Sequence, residues 1–73
     1  MTRIEELAQQ ILIEMENIGA HKPKVDIYAY EMPDRQSASE VVRKVLGHEP
    51  DINYNWCEAK AGRVSVIAFV KDD

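Results

Sequence analysis

The hydrophobic residues near the start of the chain recur with the period of an amphipathic helix, which predicts a helix over residues 2–18. Thr2 and Glu5 have the spacing of a capping box, and Gly19 can end the helix in a left-handed conformation. We expect one apolar stripe to face the core, formed by Ile4, Leu7, Ala8, Ile11, Met15 and Ile18.

A second helical period predicts a shorter helix over residues 37–46. Ser37 and Glu40 repeat the capping-box spacing, and Gly47 is a suitable residue to end the helix. The stripe expected to be buried consists of Ala38, Val41, Val42, Val45 and Leu46. Because valine has only modest helix propensity, we expect this helix to depend on packing against a sheet.

Three segments have the alternation of β-strands, over residues 24–31, 51–59 and 63–71. In the first, Val25, Ile27 and Ala29 are expected to face the core, with Asp26, Tyr28 and Tyr30 on the other side. The last two read as a hairpin around Gly62. Its predicted core face carries Tyr54, Trp56, Val64, Val66 and Val70, and its other face carries Asn53, Asn55, Cys57, Ser65, Ile67 and Phe69.

The element order α-β-α-β-β predicts a single α+β domain over residues 1–73, a two-layer sandwich of two helices on one face of a three-stranded mixed sheet. The crossover through the second helix favours parallel first and second strands, with the last strand antiparallel to them. The last strand is the most continuously apolar, so we place it in the centre, in the order 1-3-2. The alternative order, 1-2-3, puts it at the edge.

Composition narrows the function classes. The chain has 73 residues, a net charge of −4 and one cysteine, so it is acidic and has no internal disulfide. A lone thiol and the absence of a signal-peptide pattern predict a cytoplasmic protein with no membrane segment. The core of so short a chain supplies only about 3–5 kcal/mol of stability, and oligomerisation or docking on a partner is one way to add to it.

No residue pattern predicts catalysis, a metal or a cofactor. His21, His48 and Cys57 do not have the spacing of paired metal ligands. No glycine-rich phosphate loop is present, and the carboxylate of the neighbouring Glu58 is expected to raise the pKa of the Cys57 thiol, which disfavours its activation. We therefore expect a protein that is not an enzyme and that acts by binding.

The predicted sheet leaves one face without helices, and that face is the candidate binding surface. Its protein-binding residues are predicted to be Tyr28, Tyr30, Ile67, Phe69, Asn53 and Asn55. Tyrosine and phenylalanine are typical of protein interfaces, so we expect self-association (a homodimer) or docking on a larger protein. A small regulator or inhibitor of a larger enzyme would have the same pattern.

Nucleic-acid binding is the less favoured alternative, because aromatic side chains on an open sheet also stack on bases. The element order resembles, without its first strand, that of the C-terminal domain of bacterial translation initiation factor three. The likeness lies in the order of elements, and it implies a nucleic-acid patch formed here by Lys22, Lys24, Arg43 and Lys44. A shared fold does not by itself establish a shared function.

Overall fold

The computed structural model describes residues 2–72, which form two helices and four strands in the order α-β-α-β-β-β. The helices are α1, Arg3–Asn17, and α2, Arg35–Leu46. The strands are β1, Val25–Met32, β2, Asp51–Ile52, β3, Trp56–Ala61, and β4, Val64–Val70. The α+β class with two helices agrees with the sequence prediction, whereas the sheet has one strand more than predicted.

The strands form one mixed sheet in the order β1-β4-β3-β2. The last strand lies between β1 and β3, as its continuous apolar sequence predicted. β1 is parallel to β4, and β3 is antiparallel to β4 and to β2. Both predicted strand directions are therefore wrong: the last strand, β4, is parallel and not antiparallel to β1, and β3 is antiparallel and not parallel to β1.

A tight turn accounts for the extra strand. Residues 51–59, predicted as one strand, divide at residues 53–55, where the Asn53 N–H donates to the Trp56 carbonyl at 2.8 Å. The chain reverses once more than predicted, so β2 runs in the direction expected of the whole segment and β3 runs against it.

The turn also changes which residues of β3 reach the core. Cys57 and Ala59 are buried beneath the helices, Trp56 lies on the opposite face with 36% of its surface exposed, and Tyr54 is exposed in the turn. The prediction that Trp56 and Tyr54 face the core, and that Cys57 does not, is wrong. A shift of one residue moves every side chain of a strand to the other face. On β4, the predicted burial of Val64 and Val66 is confirmed.

The start of α1 follows its predicted cap, but the helix is turned about its axis. The Thr2 hydroxyl accepts from the Glu5 N–H at 3.1 Å and donates to the Val45 carbonyl of α2. α1 buries Ala8, Leu12 and Glu5. Most of the stripe predicted to be buried is exposed instead, namely Ile4, Leu7, Ile11 and Ile18.

α2 begins two residues earlier than predicted. Asp34, and not Ser37, is its N-cap, and the Asp34 carboxylate accepts from the Ser37 N–H at 2.7 Å. Gly47 ends the helix with a φ of 79°, as its sequence position predicted. Ala38, Val42 and Leu46 are buried, whereas Val41 and Val45 are only partly buried.

Both helices pack on one face of the sheet and enclose one hydrophobic core, formed by Ala8, Leu12, Ala38, Val42, Leu46, Cys57, Ala59, Val64, Val66 and Ala68. The core-facing side chains of β1 are only partly buried at its margin. The other side of the sheet has no helix over it in the part of the chain that the structure describes. Within residues 2–72, no helix has the length and apolar character needed to cross a membrane.

Candidate protein-binding face

Alternate residues of the three long strands form the surface opposite the helices, which we call the open face. β4 runs through the middle, with β1 and β3 on its two sides. Because side chains alternate along a strand, one residue in two points away from the core. The open face consists of Asp26, Tyr28, Tyr30, Trp56, Glu58, Lys60, Ser65, Ile67 and Phe69.

The strand register arranges these side chains in rows across the sheet. One row joins Asp26, Ser65 and Lys60, and the next joins Tyr28, Ile67 and Glu58. The third row pairs Phe69 with Trp56, and Tyr30 lies beside Phe69. The open face is therefore polar at one end and aromatic at the other.

The aromatic end is a contiguous cluster. The ring centroids of Tyr30 and Phe69 are 5.3 Å apart with planes inclined by 11°. Tyr28 lies 6.1 Å from Phe69 and 6.3 Å from Tyr30, again with nearly parallel planes. Tyr28 and Tyr30 remain 51% and 67% exposed. Large rings that touch each other and remain open to solvent form the kind of patch that marks interaction sites.

The charges of the open face nearly cancel. Lys24, just before β1, and Lys60 provide the positive charge, while Asp26 and Glu58 provide the negative charge, and all four line the same shallow groove as Tyr28 and Trp56. A surface that follows a phosphate backbone needs clustered lysine and arginine. The balance of charge on the open face is instead typical of a protein interface with a polar rim.

The structure brings together four of the six residues predicted to bind protein. Tyr28, Tyr30, Ile67 and Phe69 lie side by side on the open face. Asn53 and Asn55 lie in the turn between β2 and β3, where the Asn55 carbonyl accepts from the Val70 N–H at 2.8 Å. They are therefore placed at the end of the sheet and not in a strand of the open face.

Trp56 is the residue of this face that sequence reasoning assigned to the core. The signal that could have located it is the Asn-Tyr-Asn sequence directly before it, because asparagine favours turns. A turn at these residues shifts the alternation by which Trp56 was assigned.

The predicted basic patch is divided between two sides of the molecule. Lys24 lines the groove on the open face, whereas Arg43 and Lys44 belong to α2, on the other side of the sheet. The Arg43 guanidinium donates to both carboxylate oxygens of Glu49, at 3.0 and 3.2 Å. Hydrogen bonding to Glu49, together with its charge, raises the pKa of Arg43. This ion pair lies at the surface, with the Arg43 side chain 45% exposed.

The thiol is placed for packing. Cys57 is fully buried, and its Sγ lies 3.7 Å from the Arg35 carbonyl, to which it donates. Burial raises the pKa of the Cys57 thiol, and the positive charge of Arg35 offsets part of that effect. A raised pKa disfavours the thiolate, which is the reactive form. Among residues 2–72, no group of three or more His, Cys, Asp or Glu side chains is arranged to hold a metal ion.

Comparison of the chain with protein-family models, with curated proteins and with solved structures found no match. The geometry of the open face is therefore the basis for assigning a function.

Proposed function

We propose that this chain is a small non-enzymatic protein-interaction domain whose open face binds another protein, either a second copy of itself or a larger protein. The observation that carries the proposal is the exposed cluster of Tyr28, Tyr30 and Phe69, continued by Trp56, on the side of the sheet opposite both helices. Aromatic residues are enriched at protein interfaces because they bury a large area at low entropic cost.

The apolar area of such a cluster is large enough to support binding. Burial of roughly 400 Å² of apolar surface, a typical size for the largest patch on a monomer, stabilises a complex by about 10 kcal/mol. The entropy lost on association opposes it by about 4–15 kcal/mol. At the low end of that cost about 6 kcal/mol remains, which corresponds to a dissociation constant on the order of tens of micromolar.

Trp56 offers a variant that tests this proposal with little change to the core, because its side chain lies outside the helix layer. Tagged chain expressed in its own cells should retain its partner, and Trp56→Ser should recover at least about five-fold less of it, the loss expected for an interface anchor. Ile13→Ser is the matched control, because Ile13 is exposed on α1. Equal recovery by all three proteins would contradict the proposal.

Two alternatives give different outcomes. A nucleic-acid-binding accessory protein would retain single-stranded RNA on a filter at low salt, where phosphate contacts are strongest, and Trp56→Ser would reduce that retention. A regulator or inhibitor of a larger enzyme would recover one unrelated protein in equal amount, whereas self-association would recover only tagged and untagged copies of the chain.

A further inference from the structure

β1 has an edge with unsatisfied backbone groups. It is the terminal strand of the sheet, and within residues 2–72 no segment pairs with its outer side. The Val25 N–H donates to the Arg63 carbonyl at 2.9 Å, on the β4 side. Backbone groups alternate along a strand, so those of Asp26 and Tyr28 point away from β4. β1 is regular and free of proline over residues 25–29, and its register shifts beyond them, where Glu31 has a φ of 65°. The regular part of such an edge is a template for pairing with another strand.

The core is also incompletely covered beside this edge. Val64, Val66 and Ala68 of the neighbouring β4 are fully buried, whereas Val25, Ile27 and Ala29 of β1 are only partly buried. Since α2 packs mainly over β3 and β4, the helix layer thins toward β1.

α1 presents apolar side chains that the monomer does not bury. Leu7 and Ile11 are 54% and 49% exposed, and Ile4 and Ile18 continue the same stripe. The Glu5 carboxylate lies 3.7 Å from His48, and the Glu16 carboxylate lies 3.7 Å from Arg63. Both contacts lie on the flank of α1 that faces the body of the protein, and the stripe lies on the other flank.

The molecule exposes more surface than a compact chain of its size. Its accessible surface is 5208 Å², whereas a compact 8.4 kDa monomer exposes about 4600 Å². Its radius of gyration is 13.1 Å, whereas about 11 Å is expected for this length. The excess surface of roughly 600 Å² is close to the share of one partner, about 800 Å², in a standard interface.

We propose that a second copy of the chain pairs its β1 antiparallel with this β1, about a two-fold axis beside Tyr28, and that the two α1 stripes cover the core across the junction. The chemistry of β1 is self-complementary in this arrangement. Lys22 and Lys24 directly precede β1, whereas Glu31 lies near its end and Asp34, the N-cap of α2, follows it. Antiparallel pairing places the basic start of each strand beside the acidic end of the other, as a two-fold interface requires.

The resulting sheet has eight strands and no unpaired β1 edge. Tyr28 is opposite Tyr28 of the second copy as a hydrogen-bonded pair, with Cα atoms about 5.5 Å apart. The aromatic clusters of both copies then adjoin on one continuous open face. This assembly does not depend on the proposed function, because it uses the edge of β1 and the α1 stripe and leaves Trp56 uncovered.

The oligomeric state of the full chain tests the pairing, by sedimentation equilibrium from low micromolar to near-millimolar concentration. Asp26→Pro removes an outward N–H and keeps the bonds to β4, so it should weaken the dimer at least ten-fold. Asp26→Asn, which keeps the N–H, should not. Ile11→Lys should weaken the dimer as strongly, and its matched control Ile13→Lys should have little effect. Because Ile11 is exposed, its variant keeps the fold, which circular dichroism verifies.

A disulfide tests the register. With Cys57→Ala to remove the native thiol, Tyr28→Cys should cross-link two copies under mild oxidation, because a Cα separation of about 5.5 Å suits a disulfide. Tyr54→Cys, at an exposed turn residue, is the control. A strictly monomeric chain, or cross-linking no faster than that of Tyr54→Cys, overturns the proposal. The proposal is also overturned if Trp56→Ser disrupts the dimer whereas Asp26→Pro and Ile11→Lys leave it intact. That result would assign self-association to the open face. A dimer unaffected by Trp56→Ser supports β1 pairing even if the open face binds no other protein.

Discussion

The orientation of α1 can be tested by the same substitution at two leucines of one helix. Leu12 is 4% exposed and belongs to the core, whereas Leu7 is 54% exposed. Leucine to alanine removes three carbon atoms, and at about 0.8 kcal/mol for each buried carbon the transfer loss at Leu12 is about 2.4 kcal/mol. The cavity left behind adds to it, so we expect Leu12→Ala to lower the free energy of unfolding by about 2.5–4 kcal/mol.

Leu7→Ala should lower the unfolding free energy of the monomer by no more than about 1 kcal/mol, because roughly half of the side chain already contacts water. The measurement is urea unfolding followed by circular dichroism, at a concentration where sedimentation shows a monomer. Because so small a domain has only about 3–5 kcal/mol of stability, all variants are compared in the same stabilising osmolyte. An equal or larger loss for Leu7→Ala would refute this orientation of α1, and with it the exposed stripe.

Three further predictions follow from single contacts. Alkylation of Cys57 should be slow in the folded protein and fast in urea, because burial raises the pKa of its thiol, and rapid alkylation without urea would contradict this burial. Since the thiol ionises at lower pH in the unfolded chain, the free energy of unfolding should also fall as the pH rises through the ordinary thiol pKa. Asp34→Ala should lower the urea midpoint at neutral pH, because the backbone N–H of Ser37 loses its acceptor. The same hydrogen bond lowers the pKa of Asp34, so the difference from wild type should shrink as acid protonates Asp34, and a difference independent of pH would exclude this cap. Gly47→Ala should destabilise the protein by about 1–2 kcal/mol in urea titration, because alanine is strained at a φ of 79°; no change would mean that α2 does not end in this conformation.

Local patterns predicted the parts of the fold that depend on neighbouring residues. The alternation of β1 and β4 placed Val25, Ile27, Val64 and Val66 on the helix side of the sheet. Thr2 and Gly47 predicted a helix start and a helix end. These features have short-range physical causes, namely side-chain alternation, capping hydrogen bonds and the freedom of glycine at positive φ.

The turn at residues 53–55 and the rotation of α1 were not predictable in the same way. A two-residue strand such as β2 is too short to show an alternation, so one long strand fitted residues 51–59 equally well. The stripe of Ile4, Leu7 and Ile11 is the most hydrophobic flank of α1, yet α1 packs through Ala8 and Leu12. This packing comes with contacts distant along the chain, such as those of Glu5 with His48 and Thr2 with Val45, which the pattern of α1 alone does not show.

The candidate site was predictable where it depended on β1 and β4. Tyr28, Tyr30, Ile67 and Phe69 were expected on the side of the sheet without helices, and they lie there together. Trp56 was missed because its assignment depended on the register of β3, which the turn determines. The predicted order 1-3-2 already placed β1 at an edge of the sheet, but the thin helix layer beside that edge depends on how the helices pack and was not predictable.

The fluorescence of Trp56, the single tryptophan of the chain, tests most directly whether one face of the sheet is uncovered. Its side chain lies on the open face beside Phe69 and is partly exposed. At a concentration where the chain is monomeric, and in the absence of a partner, we expect emission near that of a partly hydrated indole and ready quenching by iodide. A blue-shifted emission that iodide does not quench would place Trp56 beneath the helices and would contradict the open face.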